Sequence, residues 1–437
     1  MDIEATTPSP SASIHPSRRR ASKPRSAQPL TQRWITELGD EVARRWDLAG
    51  RKDESFAALA ADALAAASRA RAIDPDEVLA AVDPSTELPR QLDLEGRFSD
   101  LPLTVYAHER FCIQMLFWLD GVPSIHDHDF VGAFQLVSGA SIHTTYEFHE
   151  ERTFGPLLGQ GTLRAYEVTV LHPGATRRID LGRDFIHGLF HLERPSVSLV
   201  VRTYLSSPNR IRQYEPSGLS WCPLDATPAL TRTLQALKLR HALSPSLYRA
   251  AARTALARAD EHGVARILLQ ARELAQDEAE IPRALASVAA RRHPALVRAL
   301  EPVLEDVIAA RRVLAGRQRV HDSELRFAMA VLLSSPNRRA ALEVVAEQRP
   351  RAAPEDTLVQ WAGALMAYAE PGSGLEDARL LREDGDFAAF RAMLEGHSDA
   401  RVAEETADFG APLDRAAVAR LRRALQECVL FRSIVTE

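Results

Sequence analysis

The sequence predicts a multidomain α+β protein, with a β-barrel domain, helices ahead of it and a separate all-α domain behind it. Between residues 85 and 215, β-branched and aromatic residues form short apolar runs punctuated by Gly and Pro. That is the pattern of an all-β sandwich or barrel. On either side, apolar residues recur at spacings of three and four, the period of an amphipathic helix. The 437 residues also leave room for two or three domains of ordinary size.

In chain order, residues 1–30 are rich in Pro, Ser and Arg and carry Arg18, Arg19, Arg20, Lys23 and Arg25 with no apolar run behind them. They read as a disordered basic tail; a secretory signal needs an apolar stretch. Residues 31–84 read as an N-terminal helical segment. Trp34, Ile35, Leu38, Val42 and Trp46 share one helix face, with Thr31 placed as a cap, and Phe56 to Ala70 reads as a second, Ala-rich helix. Asp74-Pro75 opens a short third helix by a cap followed by proline.

The β-barrel spans 85–215. Its turn signals are Gly121-Val122-Pro123, Gly139, Gly155-Pro156, Pro173-Gly174 and Gly182. Strands are expected at 111–119, 125–128, 131–138, 140–148, 162–170, 185–192 and 196–204. Residues 205–227 read as a linker, and 227–437 as an α-helical domain. Thr227-Pro228 and Ser244-Pro245 start its first helices; Leu230, Leu234 and Leu237 give one apolar face, Leu247 and Leu256 the next. The hexapeptide Leu-Ser-Ser-Pro-Asn-Arg occurs at 205–210 and 333–338. No fixed period joins the copies, so it reads as a recurrent turn and not a solenoid repeat.

Composition narrows the function classes. The net charge of -5 gives no basic footprint for nucleic acid. No apolar run reaches the ~18 residues of a membrane span, so a cytoplasmic protein is expected. The basic residues are almost all arginine, with only Lys23, Lys52 and Lys238 as lysines, which reads as GC-rich coding bias. Cys112, Cys222 and Cys428 are too scattered for a disulfide framework or a Cys-type zinc site. Cys112, among aromatics on a strand, is expected to be a buried inert thiol, and Cys222 an exposed one in the linker. Phosphate-loop, dinucleotide, His-Glu-x-x-His and Gly-x-Ser-x-Gly motifs are all absent.

Histidine is the informative residue. Of 14, eight lie between His108 and His191: these two and His126, His128, His143, His149, His172 and His187. An even spread would place about three there. Clustered histidines in a β-rich segment point to metal. In His126-Asp127-His128 the two imidazoles stand two residues apart, so on a strand they share a face and can converge on one ion. His187, near the start of a late strand, is the best third ligand, and His191 shares its face four residues on. Three neutral imidazoles on one side of a divalent ion leave its other positions open, as a catalytic site requires.

These residues resemble a known superfamily. Phe-Cys-Ile-Gln-Met-Leu-Phe-Trp (111–118), Ser-Ile-His-Asp-His (124–128) and a strand ending in Gly139 are similar to the cupins, most closely to cysteine dioxygenase and related thiol dioxygenases. Phe-Ile-His-Gly (185–188) before Pro195-Ser-Val-Ser-Leu-Val-Val-Arg-Thr-Tyr204 resembles the second half of that family. The resemblance covers about 100–210. It implies a jelly-roll barrel and a mononuclear non-haem Fe(II) on His126, His128 and His187, with another divalent metal as the alternative. Chelation of a small substrate and binding of dioxygen at the open positions are implied with it.

The departures are equally specific. Most cupins place a Glu shortly after the His-x-His pair and thiol dioxygenases a Cys; here that place falls on Ala133, or on Gly132 with a shifted gap. The family's Ser-x-His-x-Tyr reads Ser198-Leu199-Val200-Val201-Arg202, and its substrate-gripping Arg falls near Val105. These changes argue against plain cysteine dioxygenase activity. Ser198, Val200 and Arg202 alternate onto one face, so Arg202 can clamp a carboxylate from a different wall, the alternative being a rim ion pair. Gln135, two beyond Ala133, is placed to hydrogen-bond a ligand, the alternative being a polar residue near the barrel mouth. His143, on the next strand, reads either as lining the pocket or as a core histidine satisfied by a backbone carbonyl, and His191 as the residue that orients a ligand or stacks near the site.

The expected function is therefore a metal-dependent oxygenase acting with dioxygen on a small carboxylate-bearing substrate, with Arg202, Ser198 and His191 as catalytic candidates. Two other classes stay open. One is a non-enzymatic metal- or ligand-binding module whose helical domain docks a protein partner. The other is a hydrolase or isomerase using a redox-inert ion.

Overall fold

The structure, a computed structural model, describes residues 30–70, 74–80, 88–92, 99–119, 124–204, 210–222, 227–275 and 280–436. Apart from Leu30, the tail expected at 1–30 lies outside the described residues. α1 (Leu30–Leu48), α2 (Asp53–Ala70) and α3 (Pro75–Ala80) form where the apolar spacing expects them. Thr31 lies within α1, whose first described residue is Leu30. Trp46 and Phe56, both fully buried, lock α1 to α2 edge to face at 4.6 Å between ring centroids. Such a pair is worth about 0.5–1.5 kcal/mol beyond its buried area.

The strands described are β1 (Leu101–Ala107), β2 (Phe111–Trp118), β3 (Ile125–His126), β4 (Gly132–Ser138), β5 (Ser141–Thr153), β6 (Leu158–Leu171), β7 (Thr176–Ile179), β8 (Ile186–His191), β9 (Ser196–Thr203), β10 (Gln213–Tyr214) and β11 (Leu219–Trp221). Every expected strand is present, but β3 keeps only the first two residues of 125–128, and β5 and β6 run longer than expected. β1, β7, β10 and β11 lie outside the expectation. The last three have four residues or fewer, too few to show a period of two. Because β11 pairs with β6, and β10 with β11 and β3, the described part of 205–227 returns to the barrel and is not a plain linker. This pairing also buries Cys222, which is 1% exposed, against the expectation of an exposed thiol.

A five-stranded antiparallel sheet runs β1-β2-β9-β4-β7, and the other six strands close in the order β10-β11-β6-β5-β8-β3. From β3 to β9 the chain passes back and forth between the two, the alternation that makes a jelly roll. Phe134, Leu136, Leu171, Ile179 and Val200 fill the space between them. The outer face of the five-stranded sheet, with Phe111, Ile113, Met115, Val197, Leu199 and Val201, packs on the helices that carry Trp34, Val42, Trp46 and Leu64.

Among the described residues twelve α-helices, from α4 (Pro228–Leu243) to α15 (Arg432–Val435), build the C-terminal domain. Thr227 caps α4, its hydroxyl oxygen accepting from the Leu230 amide at 3.1 Å. Ser244 precedes α5 (Pro245–Leu256) without such a bond, and Leu247, expected on an apolar face, is 53% exposed. The domain packs on the outer face of the six-stranded ring. Ile142 and Phe190 enter one of its cores and Leu158, Leu219 and Trp221 another. Polar contacts join them too. Thr144 donates to the Ser334 carbonyl at 3.3 Å, and Arg317, at the end of α8 (Pro294–Arg317), donates to the His191 carbonyl at 2.7 Å. Among the described residues no helix is long and apolar enough to cross a membrane.

Candidate metal centre

β3 and β8 meet through one residue pair, His126 opposite His187. His128 follows two residues after His126, just past the strand. The three rings converge: centroids lie 4.8 Å apart for His126–His128, 4.8 Å for His126–His187 and 5.0 Å for His128–His187. One ring nitrogen from each lies within 4.8 Å of the other two. Metal–nitrogen bonds of about 2.0–2.1 Å at 90–109° would place such centroids about 4.5–5.2 Å apart. The arrangement therefore fits a facial three-His site.

The nitrogens agree with that fit. His126 Nδ1 donates to the Ser124 carbonyl at 2.9 Å, which makes Nε2 the lone-pair nitrogen. His187 Nδ1 lies 3.1 Å from His143 Nε2, while its Nε2 is buried without a hydrogen-bond partner. His128 Nδ1 is likewise buried without a partner. Orphaned lone pairs are costly in a core and are what an ion would satisfy. Burial holds all three rings below the ordinary histidine range. His126 repels charge on His128, and His126 and His128 repel it on His187. The rings are neutral, the form that binds metal.

Asp127 points away from the cluster and anchors it. It accepts from the Tyr214 hydroxyl at 2.7 Å and the Arg212 amide at 2.7 Å. Burial raises its carboxyl, and these donors oppose the rise. No sequence signal marked this anchor, because Tyr214 lies 87 residues away on a two-residue strand.

The sequence-predicted residues fall into two groups. Ser198, His191 and Arg202 line one cavity together with the three histidines. Ser198 Oγ accepts from the Trp118 indole at 3.2 Å, and Trp118 stacks on His191 at 4.5 Å. His191 is tied to Ser141 Oγ at 2.9 Å and burial lowers its value to about 3. The ring hydrogen-bonded to His187 is His143, a contact missed because strand register, not spacing, sets it. Arg202 donates from Nε to Gln114 Oε1 at 2.7 Å and lies 4.7 Å over the Phe130 ring. No carboxylate pairs with it among the described residues, so the rim ion pair is not what holds it.

The second group corrects the sequence reading. Gln135 faces away from the site, donating to Thr176 Oγ1 at 2.8 Å and to the Leu64 carbonyl at 3.2 Å. Ala133 shares that outward face, in the core built with α2. The inward position is Phe134, with its ring 5.7 Å from that of His187. His143 bonds to His187 and not to a backbone carbonyl.

Phe130, Phe134 and Phe185 ring the cluster, Phe185 at 4.6 Å from His187. The cavity measures about 1630 Å³ and extends to Val307, Leu314 and Arg317 of α8 and Ser433 of α15, so the helical domain forms part of its wall. A second group, Glu395, His397 and Glu405, is half-exposed. Its carboxylates already pair with Arg391 and Arg401.

No family model matches the chain, nor does any curated protein. Some solved structures are similar over part of it. Hydroquinone 1,2-dioxygenase from a Sphingomonas species, with 4-hydroxybenzoate bound, aligns at 11% identity over 24% of this chain and 66% of that one, just under two thirds, with a TM-score of 0.19. DMSP lyase from Ruegeria pomeroyi aligns at 14% identity over 41% and 94%, with a TM-score of 0.23. A sugar phosphate isomerase of the cupin superfamily from Silicibacter pomeroyi aligns at 16% identity over 29% and 78%, with a TM-score of 0.19.

Proposed function

We propose that this chain is a metal-dependent oxygenase resembling the thiol dioxygenases, with a mononuclear non-haem Fe(II) on His126, His128 and His187. Its substrate in this reading is a small carboxylate-bearing molecule, thiol acids included. The observation that carries the reading is the three-His cluster, neutral and without a carboxylate in the donor set. Iron held there would supply dioxygen activation, with positions left open beside the three rings.

The chain's own residues do the rest. Arg202 is steadied by Gln114 and Phe130, and the outer edge of its guanidinium can take a carboxylate through two parallel hydrogen bonds. Ser198, held by Trp118, and the neutral ring of His191 offer uncharged polar contacts along the same wall. The phenyl rings of Phe130, Phe134 and Phe185 set apolar surface beside the cluster.

Three neutral imidazoles also suit zinc, which supports a second reading, a hydrolase or isomerase on a redox-inert ion. Oxygen uptake by the iron-reconstituted full chain, across a panel of small carboxylic acids with and without thiols, tests the proposal. Uptake with one of them, abolished in His187→Ala, is the expected result. Turnover without oxygen on zinc would favour the second reading. Metal binding with no turnover would favour a non-enzymatic module. Wild-type turnover by His187→Ala would overturn the assignment.

A further inference from the structure

We propose that His143 is a positioning residue that holds His187 in the one tautomer and ring orientation able to present Nε2 to an ion, a role that rests on the metal-centre reading above. Thr145 is the register partner of His187 and His143 that of Leu189, so His143 is the diagonal neighbour of His187 on the same inner face. Diagonal side chains are within reach when both are long or aromatic. Here the rings meet at 66° with His143 Nε2 at 3.1 Å from His187 Nδ1.

A nitrogen pair at that distance shares one N–H. If His143 donated, neutral His187 would carry its one ring proton on Nε2, the buried nitrogen that has no partner. That ring could hold no metal. If His187 donates from Nδ1, its Nε2 keeps the lone pair and points it at the cluster. His143 is then the acceptor, with its own proton on Nδ1. Only the second arrangement is compatible with an ion.

The surroundings of His143 favour this role over core filling. The residue is 1% exposed, lies 5.9 Å from Phe134 and 6.1 Å from Phe185, and has a second buried nitrogen without a partner. A half-satisfied buried imidazole among phenyl rings is a poor packing choice, since a branched apolar side chain fills such a site without the desolvation cost. The partner is also neutral, where a carboxylate is common. His126 likewise donates to a neutral carbonyl. Neither ring gains negative character, so an ion here keeps its full charge and favours anionic co-ligands.

Cobalt(II) is the probe. The metal-free full chain is titrated against a chromophoric chelator as wild type, His143→Leu and His143→Gln, and the visible ligand-field bands are recorded. The expected result for His143→Leu is affinity lower by about 10- to 100-fold with altered bands. His143→Gln, which keeps an acceptor near the position of Nε2, recovers most of the affinity. The urea midpoint of metal-free His143→Leu equals or exceeds that of wild type, which a merely structural histidine would not allow. Wild-type affinity and bands in His143→Leu would overturn the proposal. Should neither variant fold, two-bond nitrogen–proton correlations on zinc-loaded wild type decide it: a proton on Nδ1 of His143 supports the role, and one on Nε2 overturns it. Wild type that binds no cobalt removes the metal reading and this one with it, an outcome distinct from a loss confined to the variant.

Discussion

His126 and His187 oppose each other across the single residue pair that joins β3 to β8, with ring centroids 4.8 Å apart. Backbone register therefore brings two of the three rings together, although β3 is only two residues long. The third, His128, follows from the two-residue spacing once Asp127 between them is anchored on the far side. The centre is held by main chain and a buried carboxylate.

The Asp127 anchor gives a first prediction. Tyr214→Phe removes one donor from a buried carboxylate while keeping the ring. Leaving such a group short of a partner costs about 1–3 kcal/mol. Urea unfolding should show that loss, and cobalt affinity should fall because His126-Asp127-His128 loosens. Wild-type stability together with wild-type affinity would contradict the anchor.

Arg202 gives a second. Binding of mercaptoacetate to the cobalt-loaded protein, followed by its sulfur-to-cobalt absorption, should weaken by about 10- to 100-fold in Arg202→Met, the loss of a charge-assisted pair. Ethanethiol, which has no carboxylate, should bind both proteins alike. Equal loss for both ligands would mean that Arg202 serves the shape of the cavity and not the recognition of the acid.

Acid gives a third. Burial lowers both His143 and His191 to about 3, from an ordinary value of 6.5. Between those values the unfolded chain takes up protons that the folded chain refuses. Their contribution is complete above about pH 6.5 and is lost as pH falls toward about 3, at up to about 3 kcal/mol per pH unit for the pair. Urea midpoints of the metal-free protein should drop steeply below pH 6.5, and less steeply in His191→Phe. A flat profile from pH 7 to 5 would contradict the buried, neutral state of these rings.

The three-His cluster was legible because it depends on local signals: a His-x-His spacing and a third histidine opening a later strand. The barrel strands were legible through their turn residues. What escaped depends on parity and register. β4 is buried on both faces, by the barrel interior and by α2, so its run lacks the alternation that tells inside from outside. Gln135 and Phe134 could not be told apart on that basis, and the inward position went to the wrong one. His143 looked like any core histidine, since only the β5–β8 register sets its ring beside His187. Tyr214 stood in what read as a linker, on a strand with no periodicity of its own. The helices were legible from their apolar spacing and from the cap at Thr227, but not that they would wall the same cavity.

The most direct test of the centre is metal content. The full chain is purified without oxygen from its native host as wild type, His128→Ala and His187→Ala, and metal per chain is measured beside circular dichroism. Close to one iron per wild-type chain, absent from both variants while their dichroism is unchanged, is the predicted result. A metal-free wild type, or variants that keep the wild-type metal, would contradict the three-His centre.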